Sequence, residues 1–243
     1  MLRSFSLVLI SAALAACVEG GDEGMLIVKN VFPQDECVFD ADERSPYIPR
    51  GTYATLSPAP YYMHPQLKSR VSAAEGQEDQ RTIFVKGARV ELSFTDTSLF
   101  TEAELEEMRT SGITRFETRF SAPLSPNGGI TDTQVELIYP TLLERIRAKH
   151  PVAGNPADGS FRAEVIASVV VFGDLAGSEI TSQKYEYPVT ICNDCVVRVG
   201  GACPLAEGTQ VLTGNVCSPY QDGVVDCCTQ GGALICPATI GTP

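Results

Sequence analysis

The sequence predicts a mainly β protein: an antiparallel β-sandwich with two short helices and a C-terminal disulfide-rich tail. Three observations carry that expectation. Apolar and polar residues alternate with a period of two in segment after segment between residues 25 and 191, the spacing that turns one strand face to a core and the other to water. Clusters of Pro, Gly, Asn and Asp punctuate those segments. After residue 190 the composition changes: lysine disappears, and seven of the nine cysteines follow.

In chain order, Met25 to Val31, Thr52 to Leu56 and Thr82 to Lys86 are the first strand candidates. Ala88, Val90, Leu92 and Phe94 then alternate with Arg89, Glu91 and Ser93, a strand with one dry and one wet face. Thr101-Glu102-Ala103-Glu104 has the pattern of a capping box, in which threonine and glutamate side chains each satisfy a backbone donor at a helix start. Leu105 and Met108 would form that helix's inner face. Phe116 and Phe120 alternate with Arg115, Glu117 and Arg119, and Gln134 to Tyr139 is a weaker strand. A second helix is expected from Thr141 to about Lys149, with Leu142, Leu143 and Ile146 on one side and Pro151 ending it. Phe161 to Phe172 is apolar on both faces towards its end, as in a central strand covered on both sides. Tyr185, Tyr187, Val189 and Ile191 oppose Lys184 and Glu186. Turns are expected at Pro58-Ala59-Pro60, Pro126-Asn127-Gly128-Gly129, Asn155-Pro156 and Gly173-Asp174. About eight such strands resemble an immunoglobulin-like sandwich in number and spacing. The tryptophan of that fold is missing, and the absence of a fixed repeat disfavours a propeller or solenoid.

The first sixteen residues carry one charge, Arg3, and then a small, apolar run from Phe5 to Ala16 broken only by Ser6 and Ser11. Such a run is a secretory leader, too short for a membrane span, which needs about 20 apolar residues. Leu14-Ala15-Ala16-Cys17 closes it and resembles the lipobox of bacterial prolipoproteins. The resemblance implies cleavage before Cys17, a diacylglycerol thioether on its sulfur and acylation of the new amino terminus, with palmitate as the expected chain. The partner so implied is a membrane, held through lipid on Cys17. Val18 stands where an aspartate would resemble an inner-membrane retention signal, so the resemblance points to the outer membrane. Four segments follow: a signal peptide over 1–16, a lipidated terminus and glycine-rich tether over 17–24, a sandwich over 25–191 and a cysteine-rich tail over 192–243. The tether would reach only ~15 Å. This layout resembles the uncharacterised cysteine-rich lipoproteins of myxobacteria, a resemblance that implies no activity.

Setting Cys17 aside leaves an even set: Cys37, Cys192, Cys195, Cys203, Cys217, Cys227, Cys228 and Cys236. In an exported chain that set reads as a disulfide framework. Seven lie in the tail, so complete pairing requires Cys37 to bond to a tail cysteine. Which one is not legible, because eight cysteines allow roughly a hundred connectivities. Cys192-Asn193-Asp194-Cys195 also has the gap of a zinc knuckle or a redox dithiol. An oxidising compartment argues against the first, and a position after a strand against the second.

A formal net charge of −12 excludes nucleic acid as a partner, since no basic stripe exists to displace phosphate counterions. The two histidines, His64 within Tyr61-Tyr62-Met63-His64-Pro65 and His150 at a basic helix end, sit in no nucleophile or metal motif. Asp35, Glu36, Asp40, Asp42 and Glu43 crowd around Cys37, a solvated loop or a weak calcium surface. Asp222-Gly223-Val224-Val225-Asp226-Cys227 resembles the close of a calcium-binding thrombospondin type 3 repeat without its earlier aspartates. No catalytic residue, cofactor or metal ligand is expected. The reading is a lipid-anchored envelope lipoprotein, a non-enzymatic binding or structural module for an envelope protein or extracellular ligand. An envelope hydrolase acting on glycans or peptides, or an inhibitor-like tail, is the alternative.

Overall fold

The computed structural model describes residues 23–34, 37–40, 42–154, 159–238 and 240. Cys17 and the leader, Asp35, Glu36 and the expected Asn155-Pro156 turn lie outside them. The protein is mainly β. In chain order the strands are β1 (Glu23–Asn30), β2 (Gly51–Ala54), β3 (Tyr61–Met63), β4 (Pro65–Ser69), β5 (Ile83–Phe94), β6 (Arg115–Leu124), β7 (Ile130–Asp132) and β8 (Val135–Ile138). Then come β9 (Arg162–Leu175), β10 (Ser178–Ser182), β11 (Tyr185–Cys192), β12 (Val197–Ala202), β13 (Val225–Gln230) and β14 (Ala233–Ile235). Helix α1 spans Glu102–Thr110 and α2 spans Pro140–Lys149. Among the described residues no helix is long and apolar enough to cross a membrane.

β9 organises the body. One edge pairs with β5 along its length, and the other pairs first with β11 and then with β10. Beyond these lie β2, parallel to β11, and β1, parallel to β10, with β4 and then β7 added antiparallel. β6 closes the far side of β5, giving nine strands in one connected sheet, while β3 and β8 form a separate pair. The two parallel neighbours depart from the purely antiparallel expectation, and the hydrogen bonds join the strands into one sheet where an immunoglobulin domain has two. Alternation specifies which side chains face the core and leaves the partner's direction open.

Inward residues of β9 (Ala163, Val165, Ala167, Val169, Val171) meet Val85, Val90, Tyr187, Leu67, Met63 and Leu137 in one core. Leu142, Leu143 and Ile146 of α2 are fully buried against it, as is Met108 of α1 at 2% exposure. The α1 capping box is present, with Thr101 and Glu104 each accepting from the other's backbone N–H. The outer sheet face is wet: Arg89 bonds Glu117 and Glu179, Arg119 bonds Glu117, and both arginines lie over the Phe172 ring. β9 is therefore central, but Ile166, Ser168 and Val170 on that face are only half-covered, contrary to the expectation of two dry faces.

Two further expectations change. The turn expected at Gly173-Asp174 lies inside β9, because Gly173 is where the β5 backbone crosses closely: a Cβ there would sit 2.7 Å from the Phe84 carbonyl oxygen. The reversal falls instead at Ala176 and Gly177, both with positive φ. The tether stops short of residue 24, since Glu23 already pairs with Thr181.

The tail folds as its own three-stranded sheet, β12-β13-β14. Cys203–Cys228 and Cys227–Cys236 staple it, Cys192–Cys195 closes the junction after β11, and Cys37–Cys217 ties it to the start of the body across 180 residues. Its small core of Val196, Val197, Val225 and Cys227 includes Ala54 of β2, so the tail shares a dry seam with the body. Asp226 is buried at 3% exposure, where it accepts two bonds from Arg198 and one from Leu212 N–H. The Arg198 guanidinium holds its carboxyl below the usual carboxylate range.

Candidate functional site

A cavity of about 480 Å³ opens where the tail meets the body. One wall is the end of β1 and the following loop, with Asn30, Cys37 and Phe39; another is Tyr62 and His64 at the β3–β4 corner. Asp132, Thr133 and Gln134, which link β7 to β8, form a third. The tail supplies Asn215, Cys217, Ser218, Gln221 and Asp222. The Cys37–Cys217 disulfide thus lines the cavity it helps to enclose.

The tail reaches this position by borrowing β geometry. β2 is the outer strand of the large sheet, and such an edge exposes unpaired backbone groups. Residues 220–222 cover it: Ala54 N–H donates to Tyr220 O at 2.9 Å, and Asp222 N–H donates to Thr52 O at 3.0 Å. Gln221 extends the pairing with its side chain, accepting from Tyr62 N–H at 3.0 Å and donating to Tyr62 O at 2.9 Å. Asp222 holds a left-handed backbone, φ 56°, a conformation that Asp tolerates better than most residues.

That conformation sends the Asp222 carboxylate inward. Thr52 N–H donates to one oxygen at 2.7 Å and the Tyr61 hydroxyl to the other at 2.7 Å. Tyr61 also contacts the Tyr187 hydroxyl at 3.1 Å, and Asn30 Nδ2 donates to Tyr187 at 2.8 Å. Asn30 Oδ1 in turn accepts from His64 N–H at 2.8 Å. A continuous polar chain therefore runs from Asp222 through two tyrosines and Asn30 to the His64 backbone. Burial dominates its acidities: Asp222 is pushed up to about 6, and both tyrosines rise above their ordinary value. The His64 ring stacks on Phe39 with centroids 3.4 Å apart, and burial lowers its pKa to about 4.

The other sequence candidates fall elsewhere. His150 caps α2, its ring Nε2 3.3 Å from Leu99 O. The acidic loop is organised by a lysine: Lys29 Nζ, 9% exposed as a residue, donates to the carbonyls of Asp42, Glu43 and Ser45 at 3.2, 2.8 and 2.8 Å. Glu43 faces outward to Lys68. Asp222 and Asp226, the two aspartates of the calcium-like run, are committed to different partners, Tyr61 and Arg198. Among the described residues no group of acidic, His or Cys side chains has the arrangement of a metal site. Sequence reasoning gave no site role to Asn30, Tyr61, Tyr187, Gln221 or Thr133. The one available signal was parity, because a bond from Cys37 to the tail brings residues 37–39 beside a tail loop.

No family model matches the chain, and no curated protein matches it. Among solved structures it is similar to a protein from Archaeoglobus fulgidus at 8% identity, with 58% of this chain and 91% of the other covered and a TM-score of 0.34. A likeness this distant carries neither fold nor function across.

Proposed function

We propose that this chain is a lipid-anchored lipoprotein of a bacterial cell envelope, held to the outer membrane through Cys17, and that it is a non-enzymatic module which binds its ligand in the cavity between body and tail. The pairing of the cysteines carries the reading: the other eight form four disulfides, so the chain's oxidised framework is complete without Cys17. The leader and Leu14-Ala15-Ala16-Cys17 supply the acylation signal. Several buried acyl chains at ~0.8 kcal/mol per methylene make a durable anchor.

Thr52 N–H and the Tyr61 hydroxyl each donate to one oxygen of Asp222 and fix that carboxylate in the cavity wall. Metabolic labelling with an alkyne-tagged palmitate, combined with non-reducing intact mass, tests the anchor. Wild type is expected in the membrane fraction, labelled and free of thiols, and Cys17→Ser unlabelled and released. Unlabelled wild type with Cys17 as a free thiol or in a disulfide would overturn it.

A further inference from the structure

We infer that the cavity between body and tail is a binding site for an organic ammonium cation, with the Asp222 carboxylate as its counter-charge. The inference rests on the proposed function, naming the ligand class of the module's site. The volume, about 480 Å³, lies within the ~300–1,000 Å³ range of small-ligand sites.

Two tail aspartates differ in what answers their charge. Asp226 is buried against a guanidinium, since Arg198 donates to both of its oxygens. Asp222 is held as firmly, but by neutral groups: Thr52 N–H from β2 and the Tyr61 hydroxyl from β3, each at 2.7 Å, with the Gln221 amide 3.5 Å away. Tyr187 of β11, in contact with Tyr61, is neutral too. The basic side chains nearest in the chain to these elements are engaged elsewhere, Lys29 by the carbonyls of Asp42, Glu43 and Ser45, Arg50 by Glu164 and Arg147 by the Thr55 carbonyl. Burial without a counter-charge pushes the Asp222 carboxyl up to about 6, whereas Arg198 holds Asp226 below the usual carboxylate range. A cation entering the cavity supplies what Asp222 lacks. Each carboxylate oxygen accepts about two hydrogen bonds, so Thr52 and Tyr61 leave capacity for an ammonium N–H.

The rest of the lining suits the same charge. Asp132, exposed at the end of β7, has no side-chain hydrogen bond or ion pair among the described residues and adds a second carboxylate. No lysine or arginine is among the described lining residues, and burial lowers His64 to about 4, leaving its imidazole neutral near pH 7. Phe39 and Tyr62 add aromatic surface, which attracts a cation through the ring quadrupole. A bare metal ion fits less well. Calcium takes roughly six to eight oxygen ligands, and among the described residues no acidic, His and Cys side chains are grouped as a metal site. A cation with a carbon body fills the space and uses carboxylates and rings together. The formal net charge of −12 draws such ions towards the protein.

The test is a calorimetric titration of the exported full chain, extracted in non-ionic detergent with its disulfides formed, at neutral pH. The probes are n-butylammonium and choline, set against n-butanol, butyrate and calcium chloride, each up to tens of millimolar. Saturable one-to-one binding of at least one ammonium ion is expected, with butanol, butyrate and calcium not bound. Asp132→Asn and Asp222→Asn should each weaken that binding about tenfold, and Asp132→Asn should keep the unfolding midpoint. Because the ligand pairs with ionised Asp222, wild-type affinity should rise about tenfold between pH 5 and 7, and Asp222→Asn should lose that rise. No ammonium binding, equal binding of butanol, preference for calcium, or ammonium binding that neither substitution weakens would overturn the inference. Palmitate labelling of Cys17 on the same preparation separates the two readings. Labelled protein that ignores ammonium ions sinks only the ligand assignment, and unlabelled protein that binds them sinks only the anchor.

Discussion

Asp222 and His64 line the same cavity, and burial moves their proton equilibria in opposite senses. Asp222 is raised to about 6, so the folded chain holds a proton that the unfolded chain has released; its stabilising contribution is complete near pH 4 and lost as pH rises through 6. His64 is lowered to about 4, so its contribution is complete above its ordinary value and lost as pH falls through 4. Between about pH 4 and 6 the two oppose each other, each on the order of 2–3 kcal/mol. Tyr61 and Tyr187 stay neutral throughout, because burial raises them. Relative to wild type, Asp222→Asn should therefore gain stability as pH rises across this window, and His64→Gln should lose it. Urea unfolding at half-unit pH steps measures both, and three parallel profiles would refute the assignment. Neither role was legible beforehand. His64 reads as a loop residue and Asp222 as part of a calcium-like run, since residue type says nothing of how far water is excluded.

At the level of elements, alternation was a reliable guide wherever its phase stayed constant. It split β5 into Thr82 to Lys86 and Ala88 to Phe94, because Ile83 and Val85 face the core in one phase and Ala88, Val90 and Leu92 in the other. One strand contains both, with a bulge between Val85 and Gly87 absorbing the extra residue. Gly87 is required there: a Cβ would stand 2.3 Å from the Thr118 carbonyl oxygen and 3.0 Å from the Phe172 ring. Gly87→Ala should destabilise the protein by about 2–3 kcal/mol, lowering Tm by roughly 5–10 °C. Gly154→Ala, whose nearest neighbour is Arg147 Cδ at 3.8 Å, should leave Tm unchanged within a degree or so. Calorimetric melts of both variants give the comparison, and equal midpoints would show that the bulge tolerates a side chain. Among the strands of three to five residues, the four-residue β2 and β8 were expected while β3, β4, β7 and β10 were not, since so short a segment holds only one or two alternations. The helices were legible because a capping box and an apolar stripe are local signals.

For the whole molecule, the tail's attachment is the central question. It joins the body by edge pairing along β2, by the shared seam at Ala54 and by Cys37–Cys217. A bridge across 180 residues restricts the unfolded chain by up to about 5 kcal/mol in the chain-entropy account. The Cys37→Ser/Cys217→Ser double variant should lose about 2–5 kcal/mol in urea unfolding. An unchanged midpoint would mean that the non-covalent contacts alone set the stability. The sequence by itself determined the β class, both helices and the need for Cys37 to reach the tail, because alternation, capping and cysteine parity are properties of neighbouring residues or of a count. Only the tertiary structure decided that Cys217 is the partner, that β1 and β2 lie parallel to their neighbours, and that Asn30, Tyr61, Tyr187 and Asp222 meet beside a cavity. Those facts depend on which distant backbones pair, and a strand's pattern records which face is dry but leaves its partner unspecified.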